Sequence, residues 1–235
     1  RFVSMLCVVG LVTAAGANAA PGAPPGQGTL QVGADSRTVL PLVDGSHDYL
    51  EAGFPERGNA FDPGIPVPKW DDGRIAVGNG ESESYWVHDD IRVTALAIDD
   101  PRSPHIVVIV ATDLYMVFRN DGEEIRARAA KLLPPGVARK LRVVVTASHN
   151  HHGPDYMAGQ AAATVAAAVK SRRPARLQVA SGEHWFGMND GTDPNIYDPR
   201  LNVLQAIDTR GQVIATTVQW NLHPEATLGW APPLE

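Results

Sequence analysis

The chain has 235 residues, of which 44% are hydrophobic and 20% are charged, a composition typical of a globular protein with one good-sized core or two small ones. Its formal net charge is -6, and no basic stripe is available to neutralise phosphates, which excludes nucleic acid as a partner. The same charge balance disfavours attachment to a membrane surface through basic residues.

Residues 1–19 have the features of a secretory signal peptide that lacks its start. The stretch 2–15 is apolar, and Ala17-Asn18-Ala19 fits a signal-peptidase site. Because the apolar run is shorter than the ~20 residues that cross a bilayer, we expect a secreted or periplasmic protein with no stable membrane span. The only cysteine, Cys7, lies in this segment, so the mature protein would have neither a disulfide nor a cysteine ligand.

The remaining chain divides into a lead-in and one domain. Residues 20–30 are rich in Gly and Pro and read as a flexible linker, and residues 31–235 are expected to form one domain. Within it, residues 44–88 show little periodicity, and an irregular stretch of this length in a compact domain is usually functional.

From residue 91 onward the pattern alternates between strand and helix signals. Strands are predicted over 91–99, 105–113, 141–148, 176–181, 200–208 and 212–221, and helices over 121–135 and 158–173. The β-branched runs 105–113 and 141–148 predict strands that are buried on both faces. The turn at Thr209-Arg210-Gly211 predicts a closing hairpin.

This order of elements predicts an α/β fold with a mixed β-sheet flanked by helices. The last residues, "TLGWAPPLE", contain no helix or strand that would complete a domain. We therefore expect the fold to be incomplete at the C-terminus.

The segment "TASHNHHGPDYM" places three histidines within four positions, directly after a predicted strand. His149 and His151 follow strand 141–148, and His223 follows strand 212–221. In open α/β sheets, sites collect at the carboxyl ends of strands, so the two loops could meet at one edge. Neutral imidazole is the commonest zinc ligand, and a catalytic zinc needs three protein ligands and an open position.

His149 and His223 are accordingly the natural pair of metal ligands, and His151 is either a third ligand or a group that handles a proton. H-x-H also occurs by chance, and the alternative interpretation is a polar loop with capping histidines. A histidine site leaves copper and nickel open beside zinc.

Asp113 follows the predicted strand 105–113, where its carboxylate could orient a metal-bound histidine. A helix cap or a loop aspartate is an equal alternative. Residues 88–92 ("HDDIR") could line the same cleft or form a solvated charge cluster, and Glu225 could be a base or ligand or face solvent. No nucleophile elbow, P-loop, dinucleotide fingerprint or H-E-x-x-H motif is present.

Together these motifs resemble the neutral/alkaline, non-lysosomal ceramidase family. The family's Thr-His-Thr-His-Ser-Gly-Pro segment is similar to residues 148–154, "SHNHHGP", with four identities. Its later His-Pro-Thr-x-Leu-Gly type segment is similar to residues 223–229, "HPEATLG". Residues 32–42 resemble its opening strand, and residues 108–117 resemble its Val-Ser-x-Asp strand. The order of all four segments agrees.

The resemblance implies a zinc-dependent amidohydrolase that cleaves the N-acyl amide bond of ceramide or a related lipid with a zinc-activated water. It implies that His149 and His223 bind zinc and that His151 is an active-site residue beside the metal. Asp113, at the end of its strand, would then support a metal-bound histidine. Residues 31–235 would then be the N-terminal part of the catalytic domain, with the other ligands and the active-site serine beyond residue 235.

The sequence also departs from the family pattern. Asn189-Asp190 stands where the family has an Asn-Arg that contacts the substrate, and His152 replaces the motif serine. A lipid or another N-acyl small molecule is therefore expected as substrate, with another amide or an ester as the alternative. A non-catalytic secreted binding protein with a partial metal site is the alternative from another functional class, and the oligomeric state is left open.

Overall fold

The computed structural model describes residues 29–38, 75–77, 82–84, 92–114, 116–149, 158–185 and 193–221. The predicted signal peptide, most of the linker and the predicted site residues His151 and His223 lie outside these ranges. So do residues 88–91, Asn189-Asp190 and Glu225.

Nine strands and three helices make up the described part of the chain. The strands are β1 (Gln31–Thr38), β2 (Ile75–Val77), β3 (Ser82–Ser84), β4 (Arg92–Asp99), β5 (Ile106–Thr112), β6 (Leu141–Ala147), β7 (Arg173–Glu183), β8 (Arg200–Asp208) and β9 (Val213–Trp220). The helices are α1 (Arg119–Lys131), α2 (Pro135–Ala138) and α3 (Ala158–Lys170).

Seven strands form one sheet in the order β6-β5-β4-β1-β7-β8-β9, and β2 pairs with β3 separately. Only β5 and β6 are parallel, and the other neighbouring pairs are antiparallel. The predicted α/β class with a mixed sheet and flanking helices is confirmed.

One face of β4, β5 and β6 is covered by α1 and α3. The sequence of α3 is "AGQAAATVAAAVK", and its small side chains let the helix lie close to the sheet. A Cβ on Gly33 of β1 would lie 2.3 Å from the carbonyl oxygen of Ala168, so glycine is required at this contact. Ile125 and Ala129 of α1 join the same core cluster.

Within the described residues, the opposite face of the sheet is covered near β1 and β4. There Val32 and Leu96 pack with Ala175 and Ala206 in a second, smaller cluster. The strands β7, β8 and β9 therefore fold across this face, and β7 pairs with β1 at only two positions.

The prediction that β5 and β6 are buried on both faces was wrong for the described part of the chain. Val108 is fully buried beneath the helices, but the next residue along β5, Val107, is 38% exposed, and Val144 of β6 is 52% exposed. Within the described residues no element packs on this face. We call it the open face, defined by residues 107, 109, 111, 142, 144 and 146 of β5 and β6.

The predicted hairpin between β8 and β9 is confirmed. Asp208 Oδ1 accepts hydrogen bonds of 2.9 Å from the backbone N–H groups of Arg210 and Gln212, and Gly211 has a φ of 81°. Glycine suits this left-handed position.

The two longer helices have 13 residues each, and no helix in the described ranges is long and apolar enough to cross a membrane.

Candidate functional site

Four neighbouring strands bring polar groups to one edge of the sheet. The parallel register of β5 and β6 pairs Thr112 with Ala147, so Asp113 is level with Ser148, one residue before His149. The backbone N–H of Ser148 donates to the carbonyl oxygen of Thr112 at 2.8 Å, which holds the two strand ends together. Because adjacent strands are about 4.8 Å apart, the backbones of Asp113 and His149 are close neighbours.

The antiparallel strand β4 fixes Asp113 from the other side. Its first residue, Arg92, donates its backbone N–H to Asp113 Oδ2 at 3.2 Å, and the Asp113 N–H donates to the Arg92 carbonyl at 3.1 Å. This reciprocal pair ties Asp113 to the backbone of β4 and orients its carboxylate.

His149 has a φ of 63°, in the left-handed region. No other described residue except glycine has a positive φ. Such a conformation is uncommon for residues with a side chain, and backbone strain of this kind clusters at functional sites. The left-handed backbone of His149 interrupts the alternation of side chains along β6, at the point where the histidine-rich segment begins.

A polar network continues along the same edge onto β1. Arg92 Nε donates to Ser36 Oγ at 2.9 Å and Arg92 Nη2 to the Ser36 carbonyl at 3.1 Å, while Ser36 Oγ lies 3.0 Å from Thr94 Oγ1. Arg92 was one of the residues that could line the cleft or belong to a solvated charge cluster. Ser36 and Thr94 were missed, although their period-two spacing with Thr38 and Arg92 on predicted strands could have pointed to them.

The topology does not by itself place the residue after β9 at this edge. The successive pairings make β9 run opposite to β6. Any approach of the two loops must therefore come from the way β7–β9 folds across the sheet. The joint role of His149 and His223 stays a prediction, as does the role of His151.

The edge supplies donors of the chemistry that zinc prefers, one imidazole and one carboxylate. Within the described ranges, however, no group of three His, Cys, Asp or Glu side chains could hold a metal ion. The imidazole and the carboxylate therefore match zinc in the chemistry of their donor atoms, and they would make up part of a ligand set.

The carboxylates with shifted pKa values lie elsewhere. A hydrogen bond from the Arg102 side chain lowers the pKa of Asp100 to about 2, and Arg200 does the same for Asp198. Asp100 follows the other end of β4, so this pair belongs to the opposite edge of the sheet. We therefore interpret these two ion pairs as interactions that stabilise the local chain, and not as part of the candidate site.

No protein-family profile matches the sequence, and no curated protein matches it. Solved structures do. A ceramidase complexed with C2 superposes with a TM-score of 0.60 at 18% identity over 85% of this chain and 32% of its own. The neutral ceramidase from Pseudomonas aeruginosa gives a TM-score of 0.56 at the same identity and coverage.

The fold of this chain is therefore similar to part of a ceramidase. The chain spans about a third of the length of these two proteins.

Proposed function

We propose that this chain is part of a secreted, zinc-dependent hydrolase that cleaves the N-acyl amide bond of ceramide or a related lipid. The proposal is supported best by two findings that agree. The fold is similar to that of ceramidases, and the strand ends carrying the family-like motifs, Asp113 and His149, lie side by side at one sheet edge.

In this proposal His149 and His223 hold the metal through their imidazoles. Zinc held there would supply a water activated near neutral pH and would polarise a scissile carbonyl. The strained backbone of His149 supports its part, because a residue held in the left-handed region is fixed in direction by its surroundings.

His151 would transfer the proton that the leaving nitrogen needs, since an imidazole titrates near neutral pH. Its position two residues after His149 keeps it on the same segment. Asp113 would act as a positioning residue: its carboxylate, oriented by the Arg92 N–H, would accept an imidazole N–H and fix the tautomer of a ligand.

The test combines metal binding with hydrolysis of a short-chain ceramide by the complete protein, which would supply the remaining ligands expected beyond residue 235, with and without a chelator. We expect zinc to bind and hydrolysis to stop on chelation and return with zinc. His149→Ala should lose activity by more than the roughly 10–100-fold typical of residues that only support a ligand.

His184→Ala is the matched control, because His184 lies at the end of β7 and contacts the Trp220 ring. Zinc binding without ceramide hydrolysis would keep the metal site and move the substrate to another amide or ester. A folded complete protein that binds no zinc would refute the mechanism and favour a non-catalytic binding protein.

A further inference from the structure

A buried hydroxyl group lies at the end of β5, directly before the candidate site. The sequence of β5 is "IVVIVAT", and Thr112 is its only polar residue. Thr112 is 2% exposed and continues the buried row of Ile106, Val108 and Val110 beneath the helices. Valine has nearly the same shape and would avoid the cost of taking a hydroxyl group out of water. The packing of this face therefore gives no reason for a threonine.

The Thr112 hydroxyl joins the end of β5 to the end of β6. Thr112 Oγ1 donates to the Thr146 carbonyl oxygen at 3.0 Å, and Thr146 Oγ1 donates to the Val110 carbonyl oxygen at 3.1 Å. The Thr112 carbonyl oxygen accepts the Ser148 N–H at 2.8 Å. Two side-chain hydrogen bonds thus add to the backbone ladder where two strands lead into loops, which is where a strand pair opens most easily.

These bonds lie next to both described residues of the candidate site. Asp113 directly follows Thr112, and His149 directly follows Ser148. On the other side of β5, the Asp113 N–H donates to the Arg92 carbonyl oxygen at 3.1 Å, so both neighbouring strands hold the end of β5. A carboxylate supports an imidazole only if the supporting residues fix their separation to within about 0.5 Å.

We propose that Thr112 is a positioning residue of the zinc site. Its hydroxyl, bound to the Thr146 carbonyl oxygen, holds the ends of β5 and β6 at the spacing that lets Asp113 support His149. The hydroxyl acts through the backbone of the two strands and touches neither metal nor substrate. This inference rests on the proposed function, because it takes His149 as a zinc ligand.

The test compares zinc affinity with stability in the complete protein. Thr112→Val removes the hydroxyl and keeps the shape of the side chain. We expect the dissociation constant for zinc, measured by chelator competition, to rise on the order of tenfold, at the lower end of the effect of groups that orient a metal ligand.

The stability of Thr112→Val should not follow its zinc affinity. The ladder that begins with Ile106 N–H on the Lys140 carbonyl also directs the Thr112 N–H to the Thr146 carbonyl, which therefore keeps a donor. We expect the urea midpoint to stay the same or rise. Thr112→Ser keeps the hydroxyl and loses a buried methyl group, so it should restore the zinc affinity while its urea midpoint falls.

Thr164→Val is the matched control. Thr164 of α3 is fully buried, and its hydroxyl donates to the Gln160 carbonyl oxygen at 2.8 Å, away from the strand ends. Its zinc affinity should equal that of the wild type. Thr146→Val, at an exposed position of β6, should weaken zinc binding in the same direction as Thr112→Val, and it keeps the test decisive if Thr112→Val fails to fold.

Hydrogen exchange in the metal-free protein gives a measurement that does not need zinc. Followed by mass spectrometry, Thr112→Val should exchange faster than the wild type in the peptide that contains the Ser148 N–H. Thr112→Ser should exchange at the wild-type rate in the same peptide. Equal rates in all three proteins would show that the hydroxyl does not hold the strand ends, and would overturn the proposal.

The zinc measurements separate this proposal from the proposed function. A wild-type protein that binds zinc no more tightly than Thr112→Val refutes the positioning role and leaves the proposed function standing. A loss of affinity that Thr164→Val shares, or that follows the urea midpoints, refutes it as well, because the effect would then be one of stability. A folded wild-type protein that binds no zinc refutes the proposed function and this inference with it.

Discussion

The two faces of β5 and β6 have almost the same composition and opposite surroundings. Val108 is fully buried against the helices, whereas Val107, the adjacent residue, is 38% exposed on the open face. Both are valines in one strand with an unbroken register. The difference shows that burial here is decided by which layer packs on a face, and not by the hydrophobicity of the strand.

The largest expected effect comes from breaking the covered face at its tightest contact. Gly33→Ala places a Cβ 2.3 Å from the Ala168 carbonyl, so α3 must move off β1. Because backbone cannot yield as a flexible side chain does, we expect the free energy of unfolding to fall by about 3 kcal/mol or more. Urea denaturation followed by circular dichroism measures it.

Gly182→Ala is the control, because Gly182 also lies in a strand and a Cβ there meets nothing within 4 Å. Its effect should stay within about 0.5 kcal/mol. Equal losses at both positions would show that α3 does not approach β1 as closely as described.

The second largest effect is expected from a pair of substitutions that compares the covered face and the open face of β5 directly. Val108→Ala removes two buried methyl groups and leaves a cavity beneath the helices, so the free energy of unfolding should fall by about 2–3 kcal/mol. Val107→Ala, on the same strand, should cost about 0.5 kcal/mol or less. The pair is measured by urea denaturation at one protein concentration.

If Val107→Ala costs as much as Val108→Ala, the open face is covered in solution. That result would contradict the exposure of Val107. It would indicate that a further layer packs on the open face, in addition to the helices on the covered face.

Much of the fold followed from local signals, and the failures have a common cause. Strand 200–208 was predicted with its observed bounds, because its alternation ends at a strong turn that Asp208 caps. Helix α1 begins two residues earlier than predicted, at Arg119, since Asp121 accepts the Phe118 N–H at 2.9 Å and caps it from inside. Strand β7 extends to Glu183 because β8 pairs with it from Ala175 to Glu183.

The partner layers could not be predicted in this way. A run such as "HIVVIVATD" specifies a strand with two apolar faces, but the residues that cover each face are distant in sequence. The site shows the same limit. Asp113 and His149 could be placed at strand ends from sequence, whereas the register of the β4–β5 hairpin, which brings Arg92 to Asp113, was not predicted.

The smallest expected effect is the loss of stability in acid. Hydrogen bonds from the Arg102 and Arg200 side chains lower the pKa values of Asp100 and Asp198 from 3.8 to about 2, and the backbone N–H of Gln212 lowers that of Asp208. A carboxyl group whose pKa is lower in the folded state than in the unfolded state stabilises the fold at pH values above its unfolded-state pKa. That stabilisation is lost as the pH falls from about 4 toward 2.

The expected loss is modest, because two of the three pairs are at the surface and exposed ion pairs contribute little. Urea midpoints at a series of pH values between 2 and 6 measure it. Asp100→Asn and Asp208→Asn should each flatten the pH dependence, and Asp208→Asn tests the carboxyl group that is only 2% exposed and holds the β8–β9 turn. Stability that rises on acidification below pH 4 would contradict the assigned direction and would place the controlling carboxylates outside these turns.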